Sequence, residues 1–524
     1  MGGFDLEVAL DDVGGLLGLM AGEGEVMGGD GMSAEVRSRV GREPRPLRCA
    51  VIGAGMAGIL AAIKLTEAGL RDFTVFEKAD RVGGTWRENT YPGLSCDVPS
   101  HLYSYSFEPN PGWSRRFSPG SEIQAYFERV AGEHDVLSRV RFGHAVTRCV
   151  FSNGTWHLTT AAGYRDDFDV VIAATGVLHH PKYPEIDGLD TFDGAMFHSA
   201  RWDPDVHLDG ARVGVVGTGS TAVQIVSALI DRVAKLSLFQ RTAQWIMPQE
   251  NPAYTDDELA RFRAKPENLA ALRQNLSDMF DVFANAVVDA ESAEIQMIEQ
   301  ACSANLENNV HDPELRERLR PDYRAACKRL IISPDFYDAM QRPNAELVTD
   351  AIERIERRGA RTKDGELHEL DVLVLATGFK ADAFMRPMDI IGRNGTTLEQ
   401  AWTPRPEAYL SISVPDFPNF FMLNGPNGPV GNFSLIEVAE IQFRYIMQLL
   451  ERIRSGECDE ICATRDALTE FEHAREQAAR HTVWVTGCRS WYLDDRGLPA
   501  VWPWSFTQFR DQMQTPDLTA YELT

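Results

Sequence analysis

The chain has 524 residues, more than one hydrophobic core supports, so two or three domains are expected. Its formal net charge of −25 leaves no basic face to neutralise phosphates, which argues against a nucleic-acid partner. No apolar run approaches the roughly 20 residues that span a bilayer, and the N-terminus lacks the basic and apolar regions of a signal peptide.

The eight cysteines are scattered. Cys458 and Cys462 are the closest pair, with no histidine or second pair at zinc spacing. This pattern predicts a soluble, cytoplasmic, reduced protein with no structural metal and no obligatory protein partner. Residues 1 to 45 are rich in glycine, acids and methionine, so a flexible N-terminal extension is expected, with a short helical turn allowed at Val13 to Met20.

From Cys49 to Lys78 the pattern sharpens. An apolar run ends in Gly53-x-Gly55-x-x-Gly58, a helix-period segment follows to Leu65, and a short strand from Phe73 to Phe76 leads to Glu77. Strand, glycine turn, helix and terminal acid in this order form the βαβ fingerprint of a dinucleotide site. The glycines permit a tight turn and close approach of a pyrophosphate, and Glu77 is placed to accept hydrogen bonds from ribose hydroxyls. Gly83 to Trp86 and Tyr91 to Asp97 read as loops, followed by an aromatic patch from Tyr103 to Phe107. Ser121 and Gln124 predict a capping box opening a helix that runs to about Gly132. Val140 to Val150 and Thr155 to Thr160 read as strands, and Asp169 to Gly176 as a buried strand ending in a small-residue turn.

The fingerprint then repeats. Val213 to Val216 leads into Gly217-Thr218-Gly219-Ser220-Thr221-Ala222, a helix follows through Leu229, and a second strand from Leu236 to Phe239 ends at Gln240-Arg241. Glu77 and Arg241 stand at the same offset from their first glycines (77 − 53 and 241 − 217, both 24). A carboxylate suits a free ribose diol, whereas an arginine suits a 2′-phosphate through a charge-assisted contact. The first site therefore reads as the adenosine half of FAD and the second as NADPH.

A second buried strand, Asp371 to Gly378, echoes Asp169 to Gly176. The expected fold is α/β, with two Rossmann-like domains nested one in the other. In this layout 46–207 is the first part of an FAD domain, 208–370 an inserted NADPH domain, and 371–524 the second part of the FAD domain with a C-terminal lid. Residues 255–320, acidic and helix-rich, read as a helical excursion within the insert.

With both fingerprints placed, Phe192-x-Gly194-x-x-x-His198-x-x-x-Trp202-Asp203 becomes legible. It resembles the signature of the type I Baeyer–Villiger monooxygenases, FAD- and NADPH-dependent flavoproteins. The resemblance extends from about Arg48 to Trp504 through Gly84-Thr85-Trp86, Cys96-Asp97, Gln240-Arg241-Thr242, Cys327-Lys328-Arg329, Ala376 to Phe379 and Ser490-Trp491-Tyr492. It implies insertion of one oxygen of O₂ beside a ketone carbonyl, through a flavin peroxide and a tetrahedral adduct, to give an ester or lactone.

The same resemblance implies a catalytic cation at Arg329, oriented by Asp97, which also touches the flavin region together with Gly84, Thr85, Trp86 and Tyr103. It places Lys328 with Arg241 and Thr242 at the NADPH phosphate, and Trp491 in a mobile lid over the nicotinamide ribose. His198 is expected to couple domains rather than to act as a base. Two alternatives stand beside this reading: a flavin monooxygenase acting on nitrogen or sulfur, and a flavin protein that binds nucleotide without turnover. A disulfide reductase is disfavoured because no CxxC is present.

Overall fold

The computed structural model describes residues 45–524 apart from Asn432. The extension expected over residues 1 to 45, with its turn at Val13 to Met20, therefore lies outside the described residues except for Arg45. That residue is already anchored: its N–H donates to the Arg454 carbonyl at 3.0 Å and its guanidinium lies 3.6 Å from Asp169.

Two all-parallel, five-stranded sheets organise the chain. In the first, the strand order is Phe420–Met422, Val170–Ala173, Cys49–Ile52, Phe73–Phe76, Val140–Arg141. Cys49–Ile52 is buried at all four positions, as expected of a strand covered on both faces. Helix Met56–Glu67 follows it directly and buries Ile59, Leu60, Ile63 and Leu65 against the sheet and against helix Leu435–Arg454. The glycine turn between strand and helix has no room for a side chain at two of its positions. Gly53 has φ +104°, and a Cβ there would lie 2.5 Å from the Ala174 carbonyl oxygen; one on Gly58 would lie 1.8 Å from the Gly53 carbonyl oxygen.

The second sheet has the order Ala345–Val348, Lys235–Phe239, Arg212–Val216, Val372–Leu375, Ala195–His198. It reaches beyond the 208–370 segment at both ends, because the apolar strand Val372–Leu375 pairs in register with Arg212–Val216 and carries Ala195–His198 on its other edge. Sequence alone assigned both of these strands to the flanking domain. Their own residues do not distinguish two sheets that both demand short apolar strands.

Within 255–320 the chain forms helices Asp256–Ala264, Pro266–Val288, Ala293–Asn309 and Pro313–Arg318. Thr255 opens the first with a capping box to Glu258. The second is docked rather than peripheral: Arg273 donates from Nη1 to the carbonyls of Leu102 (2.8 Å) and Ser104 (2.7 Å). No helix among the described residues is long and apolar enough to cross a membrane.

Three local expectations are corrected. The helix at 120 spans Gly120–Glu133 with Pro119 as its N-cap and no side-chain cap, because Gln124 instead donates to the Val82 carbonyl (2.9 Å) and to Glu128 (2.8 Å). The segment Val140 to Val150 is two strands, Val140–Arg141 and Val146–Ser152, separated at Gly143, whose φ is +70°. The cysteines are not all thiols: Cys327 and Cys488 form a disulfide across a sequence separation of 161. Such a distance leaves no spacing signal in the sequence.

One buried ion pair fixes the C-terminal region. Arg475 is fully buried on helix Arg465–Ala479, binds Glu472 through Nε (2.9 Å) and Nη2 (2.6 Å), and also donates to the Pro499 carbonyl. Glu472→Ala would leave a guanidinium uncompensated inside the protein, a change that costs about 3–5 kcal/mol. The expected result is a clear fall in Tm by thermal unfolding, and an unchanged Tm would contradict burial of the pair.

Candidate functional site

Glu77 stitches the first fingerprint together. Its carboxylate is buried and accepts from the backbone N–H of Ala54 (2.9 Å), the N–H of Ala79 (3.0 Å) and Nη1 of Arg87 (2.9 Å). The acid at the strand end therefore holds the glycine turn in place. Arg87 was not singled out in the sequence, although it directly follows Gly84-Thr85-Trp86. That segment lies across the turn, with a Cβ on Gly55 falling 3.5 Å from Gly84 Cα. The indole N–H of Trp86 donates to the Tyr103 hydroxyl (3.1 Å), and the two rings meet edge-on.

Asp97 and Arg329, 232 residues apart, meet in space. Both Nε (3.0 Å) and Nη2 (2.6 Å) of Arg329 converge on Oδ2 of Asp97. Nη1 of Arg329 and Oδ1 of Asp97 make no hydrogen bond among the described residues, and about a quarter of each side chain remains accessible (27 % and 25 %). Burial works against the guanidinium charge, but the Asp97 carboxylate outweighs it and holds the pKa of Arg329 above its usual range. The Asp97 loop is held from the other sheet. Tyr91 donates through its hydroxyl to Gln224 Oε1 (3.0 Å), and Gln224 Nε2 donates to the Ser95 carbonyl (3.0 Å). Gln224 lies on helix Ser220–Leu229, directly after the second glycine turn. Sequence reasoning missed it, since a glutamine on a helix carries no signal of its partner.

In the second fingerprint the Thr218 hydroxyl donates to the Thr242 carbonyl (2.7 Å), joining the glycine turn to the strand-end loop. Gly219, Ser220 and Thr221 lead into the helix, and Ala222 is completely buried beneath it. Arg241 is exposed and has no ion pair or hydrogen bond among the described residues. Lys328 has no carboxylate partner there either; its Nζ lies 4.2 Å from the Tyr323 ring centroid. Burial lowers the Lys328 pKa, and the nearby Arg241 charge lowers it further against the pull of Asp322. The two cations are thus close enough to feel one another, and neither makes an ion pair with a carboxylate among the described residues.

The remaining predicted residues fall at the edges. His198 ends strand Ala195–His198 with its Nε2 3.0 Å from the Gly378 carbonyl, while its Nδ1 accepts from the Ala200 N–H (3.1 Å). Both ring nitrogens are thus committed to backbone, which leaves no free base. Trp202 packs edge-on against Phe197 at 4.8 Å. Trp491 is 44 % exposed, and its ring lies tilted against that of the buried Tyr492 at 4.3 Å.

The flavin-binding monooxygenase-like family model matches residues 47–383. An uncharacterized monooxygenase of Mycobacterium tuberculosis is 47% identical over 476 residues, covering 90% of this chain and 95% of the relative. A Baeyer–Villiger monooxygenase of Streptomyces coelicolor is 39% identical over 482 residues, covering 91% of this chain and 92% of the relative. Among solved structures, cyclohexanone monooxygenase from Rhodococcus sp. Phi1 bound to NADP+ superposes with a TM-score of 0.82 at 29% identity, covering 92% of this chain and 100% of that one.

The loop that carries Asp97 also carries a titratable residue of a different kind. His101 is buried between Tyr254 and Phe262, its Nε2 has no partner, and burial pushes its pKa down to about 4. The unfolded chain takes up this proton near the ordinary value of about 6.5, whereas the folded protein does not. Stability contributed by the neutral ring is therefore complete above that value and declines as pH falls toward 4. The difference amounts to about 3 kcal/mol. His101→Phe should lose markedly less stability than the parent between pH 7 and pH 4.5 in denaturant titrations. Equal losses would assign the acid sensitivity elsewhere.

Proposed function

Because the chain belongs to the flavin-binding monooxygenase-like family and is of its Baeyer–Villiger type, we propose that it uses NADPH and O₂ to insert one oxygen atom beside a ketone carbonyl, giving an ester or lactone. FAD fits the first fingerprint, where the turn has no room for side chains at Gly53 and Gly58 and Glu77 closes the strand end. NADPH fits the second, where Arg241 and Lys328 lack carboxylate partners and can take a 2′-phosphate. The relative from Rhodococcus is described with NADP+ bound. On this reading the first sheet belongs to an FAD domain drawn from both ends of the chain, and the second to an inserted NADPH domain. A cytoplasmic location belongs to the same reading.

Bound flavin, reduced by hydride from NADPH, supplies the activated oxygen. The protein's part is to stabilise negative charge as it develops on oxygen during attack on the carbonyl and in the adduct. The observation that carries the proposal is the geometry of Arg329. Asp97 fixes its Nε and Nη2 through a single oxygen, keeps it charged, and leaves Nη1 free to donate toward a developing oxyanion. Trp86 and Tyr103, locked together by a hydrogen bond, wall the flavin side of the site. Oxygenation at nitrogen or sulfur creates no carbonyl oxyanion and would make less use of this cation.

Two substitutions test the assignment. Loss of a charge-assisted contact costs about 1.5–3 kcal/mol, on the order of 10- to 100-fold in affinity. Arg241→Ala should accordingly raise the KM for NADPH while leaving that for NADH almost unchanged; an equal loss with both would remove Arg241 from the phosphate. Deleting a preorganised oxyanion partner costs about 10²–10³ in rate. Arg329→Ala should still oxidise NADPH, release hydrogen peroxide and form little ester across a ketone panel followed by mass spectrometry. Ester formation at the parental rate per NADPH would refute the role of Arg329. Product from sulfides or amines alone would favour the other oxygenation chemistry.

A further inference from the structure

The disulfide joins two segments far apart in the chain. Cys327 immediately precedes Lys328 and Arg329, and Cys488 lies three residues before Trp491. Both sulfurs sit beside the Trp484 carbonyl, at 3.7 and 4.0 Å, in an apolar cluster that includes Tyr492. Among the described residues no backbone hydrogen bond links 486–493 to 322–332; Thr486 donates to Val483, Leu493 to Ser490, and the Tyr492 carbonyl accepts from Ala500. The disulfide is thus the covalent strap holding the Trp491–Tyr492 segment on the loop of the two cations. Cys327 is completely buried and Cys488 is 7 % exposed, and the other six cysteines are buried as well.

We propose that Cys327–Cys488 is a thiol–disulfide exchange site, acted on by a dithiol reductant, that determines whether the Trp491–Tyr492 segment stays docked on the Lys328–Arg329 loop. A donor thiolate attacks Sγ of Cys488, the less buried of the two residues, and Cys327 leaves as a thiolate that takes up a proton. The donor's second thiol then displaces Cys488, so that two electrons and two protons pass to the protein and the donor closes its own disulfide. A disulfide in a cytoplasmic protein is commonly of this transient or sensing kind. The functional consequence rests on the monooxygenase reading above. With the strap cut, Arg329 keeps Asp97 but loses its fixed cover, so NADPH oxidation continues while less oxygen reaches the ketone.

The test uses the full-length holoenzyme, untreated or reduced with dithiothreitol, together with Cys488→Ser. Peptide mapping after alkylation should find Cys327 and Cys488 joined in the untreated protein and free after dithiothreitol. Two free thiols in protein kept in air would overturn the proposal. Limited proteolysis within 486–500 should run about ten-fold faster in the reduced protein and in Cys488→Ser, because cleavage follows the population of the open segment. Equal cleavage in protein proven to be reduced would overturn it as well. Ester formed per NADPH should fall about five-fold on reduction and recover on reoxidation, as expected when water enters a site that depends on its exclusion. Unchanged coupling would remove the functional consequence. Mapping and proteolysis need no turnover, so they judge the strap even if no ketone proves to be a substrate and the monooxygenase reading itself fails.

Discussion

The contact between Asp97 and Arg329 depends on almost every other part of the fold, and the proposed chemistry depends on it. A guanidinium with only about a quarter of its surface accessible is costly to keep charged, and a carboxylate at 2.6 Å is what offsets that cost. Asp97 can stay there only because its loop is pinned by Tyr91, Ser95 and Gln224 to the helix after the second glycine turn. Arg329 is held there by the strand that follows it, Ile331–Ile332, which pairs with Ile246–Met247 in the stretch following Arg241. The ion pair thus registers the two nucleotide-binding turns relative to each other. A slip in either sheet would separate the charges.

The charge balance makes the exceptions informative. Carboxylates outnumber lysine and arginine by 77 to 52, so a cation on this chain meets an acid readily, and most arginines do. Arg241 and Lys328 do not, and Arg329 shares only one oxygen of one acid. Under the proposed function, the phosphate of NADPH would supply the anion that these two side chains lack in direct contact.

What the sequence disclosed was local or periodic. The glycine turns, the strands that feed them and the helices that follow are written in contiguous residues, and Gly53 and Gly58 occupy positions where no other residue fits. The Asp97–Arg329 contact, by contrast, came from resemblance to a family, since two residues separated by 232 positions share no spacing rule. Arg87, Gln224 and His101 escaped notice because each acts through a tertiary partner. The same holds for Cys327 and Cys488, and for the strands Val372–Leu375 and Ala195–His198, whose apolar sequences suit either sheet. Gln124 is the instructive failure. Its spacing from Ser121 satisfied a capping rule, but the Val82 carbonyl offered its amide a buried partner, and tertiary structure overrode the local preference.

The order Lys328-Arg329 follows the same physics. Burial pulls the lysine pKa down, an effect tolerable where a phosphate would arrive to restore its charge. Under the proposed function, the neighbouring position has to hold its charge before any oxyanion forms, in a pocket from which water is excluded. A lysine there would shed its proton as the site closed; a guanidinium cannot, and its planar fork can bind Asp97 with one edge while presenting the other to oxygen. Exchanging the two residues would conserve net charge and still fail. Each environment selects for how strongly its cation holds a proton, and not merely for the presence of positive charge.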